Sequence, residues 1–312
     1  MMNKSLLDES NDEILNDQQY ITDEKEGKNW RFLLGDSTER IAEIPDESVH
    51  LSIFSPPFQS LYVYSASPRD MGNAVDMDDF LDQYHLIIKE LLRITKPGRM
   101  ACVHCAQIAT TKNFDGVTGL IDLRGRLIQT HVQAGWIYHG EVTVNKNPQA
   151  QAIRTKSPSL MFVTMRRDSL RSRPALADYL LIFRKPGESD TKISNTENVP
   201  NRITEDEWIE YAAPVWTTIN ETNTLNSRIA RDTDDERHMT PLQLDFIDRC
   251  VRLWSKPKET VFTPFGGVGS ELYQAVKRGR KAIGIELKPS YWKTGCDYLK
   301  QLEIELSTPT IF

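Results

Sequence analysis

The chain has 312 residues, enough for one large domain or two small ones around a sizeable core, and this length excludes a miniprotein held together by disulfides. Hydrophobic residues make up 39% and charged residues 26%, a composition that excludes wholesale disorder. The formal net charge of −6 argues at first sight against a nucleic-acid partner.

That charge is unevenly distributed along the chain. Residues 1–26 contain eight acids and two bases, a net charge of −6. Residues 1–27 are therefore predicted to form an acidic tail that is solvated or loosely docked, with a regulatory or partner-binding role as the alternative. Residues 146–185 carry nine bases and two acids, a net charge of +7. The body behind the tail is therefore neutral overall with one basic segment, which is compatible with a polyanionic partner.

The first half of the chain alternates predicted strands and helices. Apolar runs at 30–34 and 49–54 predict strands that each lead into a loop. Apolar residues spaced three and four apart predict a helix from Asp78 that ends at Lys96-Pro97-Gly98. The pattern then predicts a strand over 100–106, a helix over 120–133 and strands over 136–144 and 179–183. This alternation predicts an α/β sheet.

The cysteines and the hydropathy profile bear on the compartment. Cys102, Cys105, Cys250 and Cys296 are spaced too widely for a secreted disulfide scaffold, so we expect free thiols. Cys102 and Cys105 flank His104, but no second close pair completes a zinc site, so we expect no metal. Because no stretch approaches the roughly 18 apolar residues of a membrane span and no signal-peptide pattern is present, we expect a soluble, cytoplasmic protein with no membrane partner.

Residues 186–239 interrupt the alternation. They are rich in Asn, Thr, Asp and Glu, and we interpret them as an inserted region rather than sheet. Trp208, Tyr211 and Trp216 are interpreted as its small core, with stacking platforms for bases as the alternative.

Regular structure is predicted again from Thr240. This residue can cap a helix that begins at Pro241, with Gln243 completing a capping box. A strand over 259–263, a glycine loop, a helix to Lys277 and a strand over 281–285 follow.

The glycine loop is the first candidate site. It lies between a predicted strand and a predicted helix, where a ligand can approach the backbone and the helix N–H groups; it comprises Phe265, Gly266, Gly267, Gly269 and Ser270. Glu286 follows at the end of the next strand, a placement from which a carboxylate accepts both ribose hydroxyls. Leu272 replaces the third glycine of the dinucleotide fingerprint, which favours an adenosine-containing cofactor other than a nicotinamide. The alternative is a structural turn beside a surface glutamate.

Two further acceptor sites follow the first two predicted strands. Asp36, in a Gly-Asp turn, could accept a hydrogen bond from an adenine amino group. Ser55-Pro56-Pro57-Phe58 forms a stiff loop, because the prolines fix their own φ angles and keep the preceding residues extended. This loop can present the Ser55 hydroxyl and the Pro56 carbonyl to an exocyclic amino group while Phe58 stacks on the base. A proline-stiffened turn without function is the alternative.

With these motifs in this order, the sequence resembles the amino-group DNA methyltransferases that use S-adenosylmethionine, in the permuted arrangement called the β class. The motifs, covering about residues 28–300, are GDS at 35–37, SPPF at 55–58, KPG at 96–98, PFGGVGS at 264–270 and GIELKPSYW at 284–292. The resemblance implies a Rossmann-like class I methyltransferase sheet, circularly permuted, with an inserted target-recognition region. The implied units are a catalytic half (28–185), the recognition insert (186–239), a cofactor-binding half (240–305) and a C-terminal tail (306–312).

The resemblance also implies roles for individual residues. Ser55, Pro56, Pro57 and Phe58 would hold the flipped base. The residues implied to bind S-adenosylmethionine are Asp36 at the adenine, Glu286 at the ribose, the loop residues Phe265, Gly266, Gly267, Gly269 and Ser270, and His238 and Pro241 nearby. Thr263 stands where the family has Asp; its hydroxyl can accept a hydrogen bond from the methionine ammonium, but without charge assistance.

The substrate implied is double-stranded DNA. Arg166, Arg167, Arg171 and Arg173 are predicted to contact its phosphates. In this family Ser at the first motif position accompanies N4-cytosine methylation, which Ser55 therefore favours; N6-adenine methylation and a non-catalytic DNA-binding module are the alternatives. A bacterial or phage-encoded protein is implied, with a homodimer and a cognate endonuclease left open as partners.

Overall fold

The computed structural model describes residues 20–57, 69–110, 112, 116–155, 157–196, 201–226 and 241–308. Within them the strands, in chain order, are β1 (Asp23–Glu26), β2 (Trp30–Leu34), β3 (Val49–Phe54), β4 (Thr95–Ala106), β5 (Ile108–Thr110), β6 (Gly119–Ile121), β7 (Ile137–Val144), β8 (Asp178–Arg184), β9 (Val215–Trp216), β10 (Thr260–Thr263) and β11 (Lys281–Glu286). The helices are α1 (Ser37–Arg40), α2 (Met77–Ile94), α3 (Leu123–Gln133), α4 (Pro148–Thr155), α5 (Phe162–Arg167), α6 (Glu205–Tyr211), α7 (Leu244–Trp254), α8 (Ser270–Lys277) and α9 (Pro289–Ser307).

One mixed sheet organises the described residues, in the order β1-β2-β11-β10-β3-β4-β8-β7-β9. Strands β2, β11, β10, β3 and β4 run parallel, and β8 runs antiparallel between β4 and β7. The strand order reverses between β10 and β3, so the loops after these two strands diverge and leave a crevice at the carboxyl edge. This is the predicted Rossmann-like sheet, and its central strand β10 comes from the C-terminal part of the chain.

Apolar side chains cover both faces of the sheet. On one face Phe32 and Val261 pack with Phe246 of α7 and Leu272 of α8. On the other, Phe54 packs in the same core as the apolar stripe of α2, which buries Phe80, Tyr84, Ile87, Ile88, Leu91 and Ile94. Because both faces are buried, the central parallel strands consist largely of apolar residues, which explains why periodicity located them.

The interpretation of residues 186–239 as an insert without sheet is wrong for its centre. Val215–Trp216 forms β9, the edge strand beside β7, and the Trp216 side chain is fully buried in the main core. Trp208 is instead 56% exposed, and Tyr211 lies under the guanidinium groups of Arg249 and Arg252. An aromatic residue in a polar stretch thus completes the large core, because the sheet edge offers more apolar surface than a short insert can.

Ion pairs hold α6 against α7. Arg252 contacts Glu207 at 2.7 Å and lowers the pKa of that carboxyl to about 2, and Arg249 contacts Glu210. The α6 segment of the predicted recognition insert is therefore docked on α7.

Some predicted boundaries are wrong. The helix predicted from Pro241 begins at Leu244, whose N–H is bonded to the Asn223 carbonyl, and Gln243 makes no capping bond with its side chain. Thr240 lies outside the described residues. The helix predicted over 120–133 begins at Leu123, because Asp122 caps it and residues 119–121 pair as β6. In both cases the first residues that the local pattern assigned to the helix make a contact with another part of the chain, and the helix begins after them.

The acidic tail is also shorter than predicted. Asp23–Glu26 forms the edge strand β1, paired antiparallel with β2. Glu24 makes an ion pair with Arg31 at 2.6 Å, and the Lys25 ammonium lies 4.7 Å from the centre of the Trp292 ring. These residues are therefore part of the folded domain, although most of them are acidic and exposed.

Two truncations test this correction. Removing residues 1–19 should leave the melting temperature unchanged and, by removing net negative charge, strengthen DNA binding at low salt. Removing residues 1–26 should cost about 2 kcal/mol of unfolding free energy, because it deletes the paired edge strand and its ion pair. Thermal unfolding of both proteins beside the full chain is the measurement, and equal stability of the two truncated proteins would contradict the docked strand.

The cysteines lie as buried free thiols, Cys102 and Cys105 on β4, Cys250 on α7 and Cys296 on α9. Every helix in the described part of the chain is too short or too polar to span a membrane.

Candidate active site

A cavity of about 1670 Å³ opens at the carboxyl edge of the sheet. The ends of β2, β3, β4, β10 and β11 meet there, since parallel strands direct their carboxyl ends to one side. Its lining includes most of the described residues singled out in the sequence, namely Asp36, Ser55, Pro56, Pro57, Pro241, Phe265, Gly266, Gly267, Ser270, Glu286, Arg171 and Arg173.

The glycine loop and Glu286 form one unit. Gly267 N–H donates to Glu286 Oε2 at 2.7 Å, and Lys288 N–H donates to Oε1 at 2.8 Å. Gly267 has φ of +51°, which favours glycine, and a Cβ at Gly266 would lie 2.5 Å from Phe32 Cε2. Burial raises the pKa of Glu286 to about 7, against the two backbone N–H bonds, which lower it. The carboxylate is thus held in place with acceptor capacity remaining on both oxygens.

Asp36 lies on the neighbouring loop. One carboxylate oxygen caps α1 by accepting from Thr38 N–H at 2.8 Å, and the other faces Arg69 at 3.5 Å. Tyr20 completes this corner, because its hydroxyl accepts from Asp36 N–H at 3.0 Å and donates to Glu39 at 2.9 Å. The contact of Asp36 with an adenine amino group remains a prediction.

A hydrogen-bonded series of side chains begins at Ser55. Its Oγ lies 3.2 Å from Nδ1 of His104, and the other ring nitrogen, Nε2, lies 2.9 Å from Oδ2 of Asp178. Lys146 contacts the same carboxylate oxygen at 2.7 Å. The four residues come from the end of β3, β4, β8 and the segment after β7, so only the assembled sheet places them together.

The charge state of this series follows from its contacts. Burial alone would raise the pKa of Asp178, but His104 and Lys146 outweigh it and hold that pKa below its ordinary value. Asp178 is therefore a carboxylate at neutral pH. With His104 in the tautomer that carries its proton on Nε2, the ring donates to Asp178 and offers Nδ1 as an acceptor to the Ser55 hydroxyl.

The other predicted site residues have different positions. Thr263 and Gly269 do not line the cavity; the Thr263 side chain is buried at the end of β10. Phe58 and His238 lie outside the described residues. Arg166 and Arg167 are exposed at the end of α5, and Arg171 and Arg173 continue from there to the cavity wall, so the four predicted DNA contacts lie in one region.

Three other bases of the segment, Lys146, Arg184 and Lys185, do not lie with them. Lys146 is buried in ion pairs with Asp178 and Glu221. Arg184 ends β8, which runs antiparallel, and Lys185 follows it, so both lie at the opposite edge of the sheet, where Lys185 contacts Glu47.

Sequence reasoning missed His104, Asp178 and Glu271 as cavity residues. The sequence suggests His104 only as a zinc ligand beside two cysteines. Its position near the end of a predicted strand, like that of Ser55, is the signal that could have found it, because both strands end at the same edge. Asp178 comes from the antiparallel strand, and no local pattern indicates which end of such a strand reaches the site.

The cavity fits S-adenosylmethionine by its own chemistry. The backbone of Gly267 is open to the cavity, Glu286 offers acceptors for hydroxyls, and Glu271 lines the same cavity. Ser270 Oγ is buried without a hydrogen-bond partner among the described residues, as expected of a group that meets a polar ligand.

The crevice at the strand-order reversal, the glycine loop and the strand-end carboxylate define a class I S-adenosylmethionine-dependent methyltransferase. The chain belongs to the DNA methylase family of N6 and N4 amino-methyltransferases, whose pattern matches residues 49–296. Membership of this family confirms the predicted enzyme class and the predicted cofactor, S-adenosylmethionine.

Relatives and solved structures agree with this assignment. The type II methyltransferase M.MjaI of Methanocaldococcus jannaschii is 23% identical over 84% of this chain and 88% of its own length. The DNA adenine methyltransferase YhdJ of Escherichia coli is 25% identical over 86% of this chain and 81% of its own length.

Two solved structures share the fold. TTHA0409 of Thermus thermophilus, described as a DNA modification methylase and solved with S-adenosyl-L-methionine, superposes with a TM-score of 0.65 at 21% identity, over 88% of this chain and 93% of its own. The cytosine-N4-specific PvuII DNA methyltransferase superposes with a TM-score of 0.61 at 18% identity, over 89% and 91% of the two chains.

Proposed function

We propose that this DNA methyltransferase transfers the methyl group to N4 of a cytosine flipped out of duplex DNA at a specific sequence. The observation that carries the proposal is the hydrogen-bonded series Ser55, His104 and Asp178 beside the cofactor loop. Two facts support cytosine: the family association of Ser at the first motif position, and the fold shared with an enzyme described as cytosine-N4-specific.

The residues of this chain have different roles in orienting the amino group and removing its proton. When bound, S-adenosylmethionine supplies an electrophilic methyl group. Ser55 Oγ and the Pro56 carbonyl accept hydrogen bonds from the amino group, which orients the nitrogen lone pair. When the methylated nitrogen loses a proton, Ser55 accepts it and passes its own hydroxyl proton to Nδ1 of His104. The Asp178 carboxylate stabilises the imidazolium that forms.

The size of the cavity agrees with two ligands. Pockets for one drug-sized molecule hold roughly 300–1,000 Å³, whereas this one holds about 1670 Å³. A cofactor and a flipped base can therefore be accommodated together. Phe58, which follows Pro57, remains the predicted stacking partner of the base.

Mass spectrometry of nucleosides tests the function. DNA incubated with the protein and S-adenosylmethionine should yield N4-methylcytosine. N6-methyladenine as the sole product would establish the alternative that the relation to YhdJ favours. A protein that binds cofactor and DNA but yields neither product would be the non-catalytic module.

We propose that Arg166, Arg167, Arg171 and Arg173 bind DNA phosphates beside the cavity. Replacing Arg166 and Arg167 together with Ala should weaken binding equally on different duplex sequences, since phosphate contacts carry no sequence information. It should also reduce the slope of log K against log salt by about 1 for each arginine that binds a phosphate. The measurement is a salt titration of DNA affinity.

A matched control distinguishes this from a general effect of charge. Lys192 is exposed and follows Thr191, which contacts Arg99 at the opposite edge of the sheet. Lys192→Ala should leave the salt slope unchanged. If both proteins change alike, the arginines do not form the DNA contact.

Residues 186–239 remain the proposed target-recognition region. Of the described residues among them, 217–226 follow β9 at the carboxyl edge and lie beside Lys146 through Glu221. The type II relatives favour a cognate endonuclease as a further partner, and a homodimer stays a prediction.

A further inference from the structure

A carboxylate that the proposed mechanism does not use is buried at the cavity wall. Glu271 is the second residue of α8, lines the cavity and is 5% exposed. Among the described residues its carboxylate has no ion pair, and its one hydrogen bond is to its own backbone N–H. A buried carboxylate is normally paired with a cation, and no described residue supplies one to Glu271.

The described neighbours of Glu271 also include a buried polar atom without a partner and a second acid. Ser270 Oγ, from the residue before Glu271, belongs to the same cavity lining and is buried without a partner in the described part of the chain. The charged group that faces Glu271 is another acid, Glu286, which in turn has Asp70 and Lys288 as its charged neighbours. Burial, with a smaller contribution from Glu286, raises the pKa of Glu271 to about 8. Among the described residues, Glu271 is therefore a buried acid that faces a second acid and no base.

We propose that Glu271 binds the ammonium group at the methionine end of S-adenosylmethionine. The inference rests on the proposed function only for the identity of the ligand. It explains how the chain tolerates Thr263 where the family has Asp: the hydroxyl of Thr263 does not reach the cavity, and the negative charge comes instead from the first turn of α8.

Binding of three adenosine ligands to Glu271→Gln tests the assignment. S-adenosylmethionine and S-adenosylhomocysteine both carry the ammonium group, whereas methylthioadenosine lacks the amino-acid end altogether. Because the substitution removes a charge-assisted hydrogen bond, the affinity for the first two ligands should fall about 10-fold or more, and the affinity for methylthioadenosine should not change. Isothermal titration calorimetry is the measurement, with Glu205→Gln as control, because Glu205 is an exposed acid in the first turn of α6.

The other outcomes overturn the proposal in distinguishable ways. Equal weakening of all three ligands would show a structural role, and weakening of S-adenosylmethionine alone would assign Glu271 to the sulfonium. Unchanged binding of every ligand would show that Glu271 does not meet the cofactor, with the proposed function intact. If the unaltered protein bound none of the three, the proposed function itself would fail as well.

A second readout needs no ligand. When the pKa of a carboxyl group is higher in the folded state than in the unfolded state, its ionisation destabilises the fold. This destabilisation grows as the pH rises from the pKa of the unfolded state toward the pKa of the folded state. The melting temperature of Glu271→Gln should therefore exceed that of the unaltered protein by a few degrees at pH 8.5, with the difference disappearing toward pH 5. A difference that is independent of pH would contradict a buried, unpaired carboxylate.

Discussion

Replacing His104 with Ala is expected to reduce the turnover number of DNA methylation about 100-fold, within the range found for general bases. The reason is that Ser55 then has no acceptor for its hydroxyl proton, although it still contacts the base. The Michaelis constants and cofactor affinity should change little, because the ring lies 3.2 Å from Ser55 and not in the cofactor loop. Steady-state kinetics with a defined duplex measure both quantities.

Two variants separate a proton acceptor from a structural role. His104→Gln keeps hydrogen-bonding capacity but cannot accept a proton, so its turnover should remain as low as that of the Ala variant. His139→Ala removes an exposed histidine on β7 and should behave as the unaltered enzyme. Full activity of His104→Gln would show that the ring only positions Ser55. Asp178 is a poorer target, because its removal leaves Lys146 buried without its main partner.

Replacing Glu286 with Ala should raise the dissociation constant of S-adenosylmethionine about 100-fold. Two hydrogen bonds from ribose hydroxyls to a charged acceptor contribute roughly 3 kcal/mol, and the loop also loses the bonds from Gly267 and Lys288 to the carboxylate. Calorimetry measures the dissociation constant. The unfolding temperature of the cofactor-free variant shows whether the substitution also destabilises the rest of the fold. Unchanged cofactor affinity would contradict this part of the site.

The same residue predicts a pH dependence. Burial raises the pKa of Glu286 to about 7, and the hydroxyls bind the ionised carboxylate, so affinity should fall as the pH drops below 7. Glu286→Gln should weaken binding at high pH and reduce this dependence. The charges of Asp70 and Lys288 also influence the pKa of Glu286, the first raising it and the second lowering it. The pH dependence of affinity that remains in Glu286→Gln is then due to Glu271, whose pKa is about 8.

Much of the site was predictable because its residues directly follow the strands that support them. Ser55 and Glu286 each come at or after the end of a buried parallel strand, and parallel strands direct their carboxyl ends to one edge. The glycine loop could be located for the same reason. Periodicity also predicted the parallel strands and the long helix α2, since their burial pattern is local and strong.

The amino-acid sequence alone therefore determined the α/β sheet, the family and the carboxyl-edge motifs, because each depends on residues close together in the chain. The tertiary structure decided the partners across strands: His104 and Asp178 behind Ser55, the burial of Lys146, and Trp216 at the sheet edge. It also shows that bases of the basic segment lie at both edges of the sheet, and that the end of the predicted acidic tail forms strand β1. Pairing between distant strands sets those contacts, and the energy of that pairing depends on surfaces that no local pattern contains.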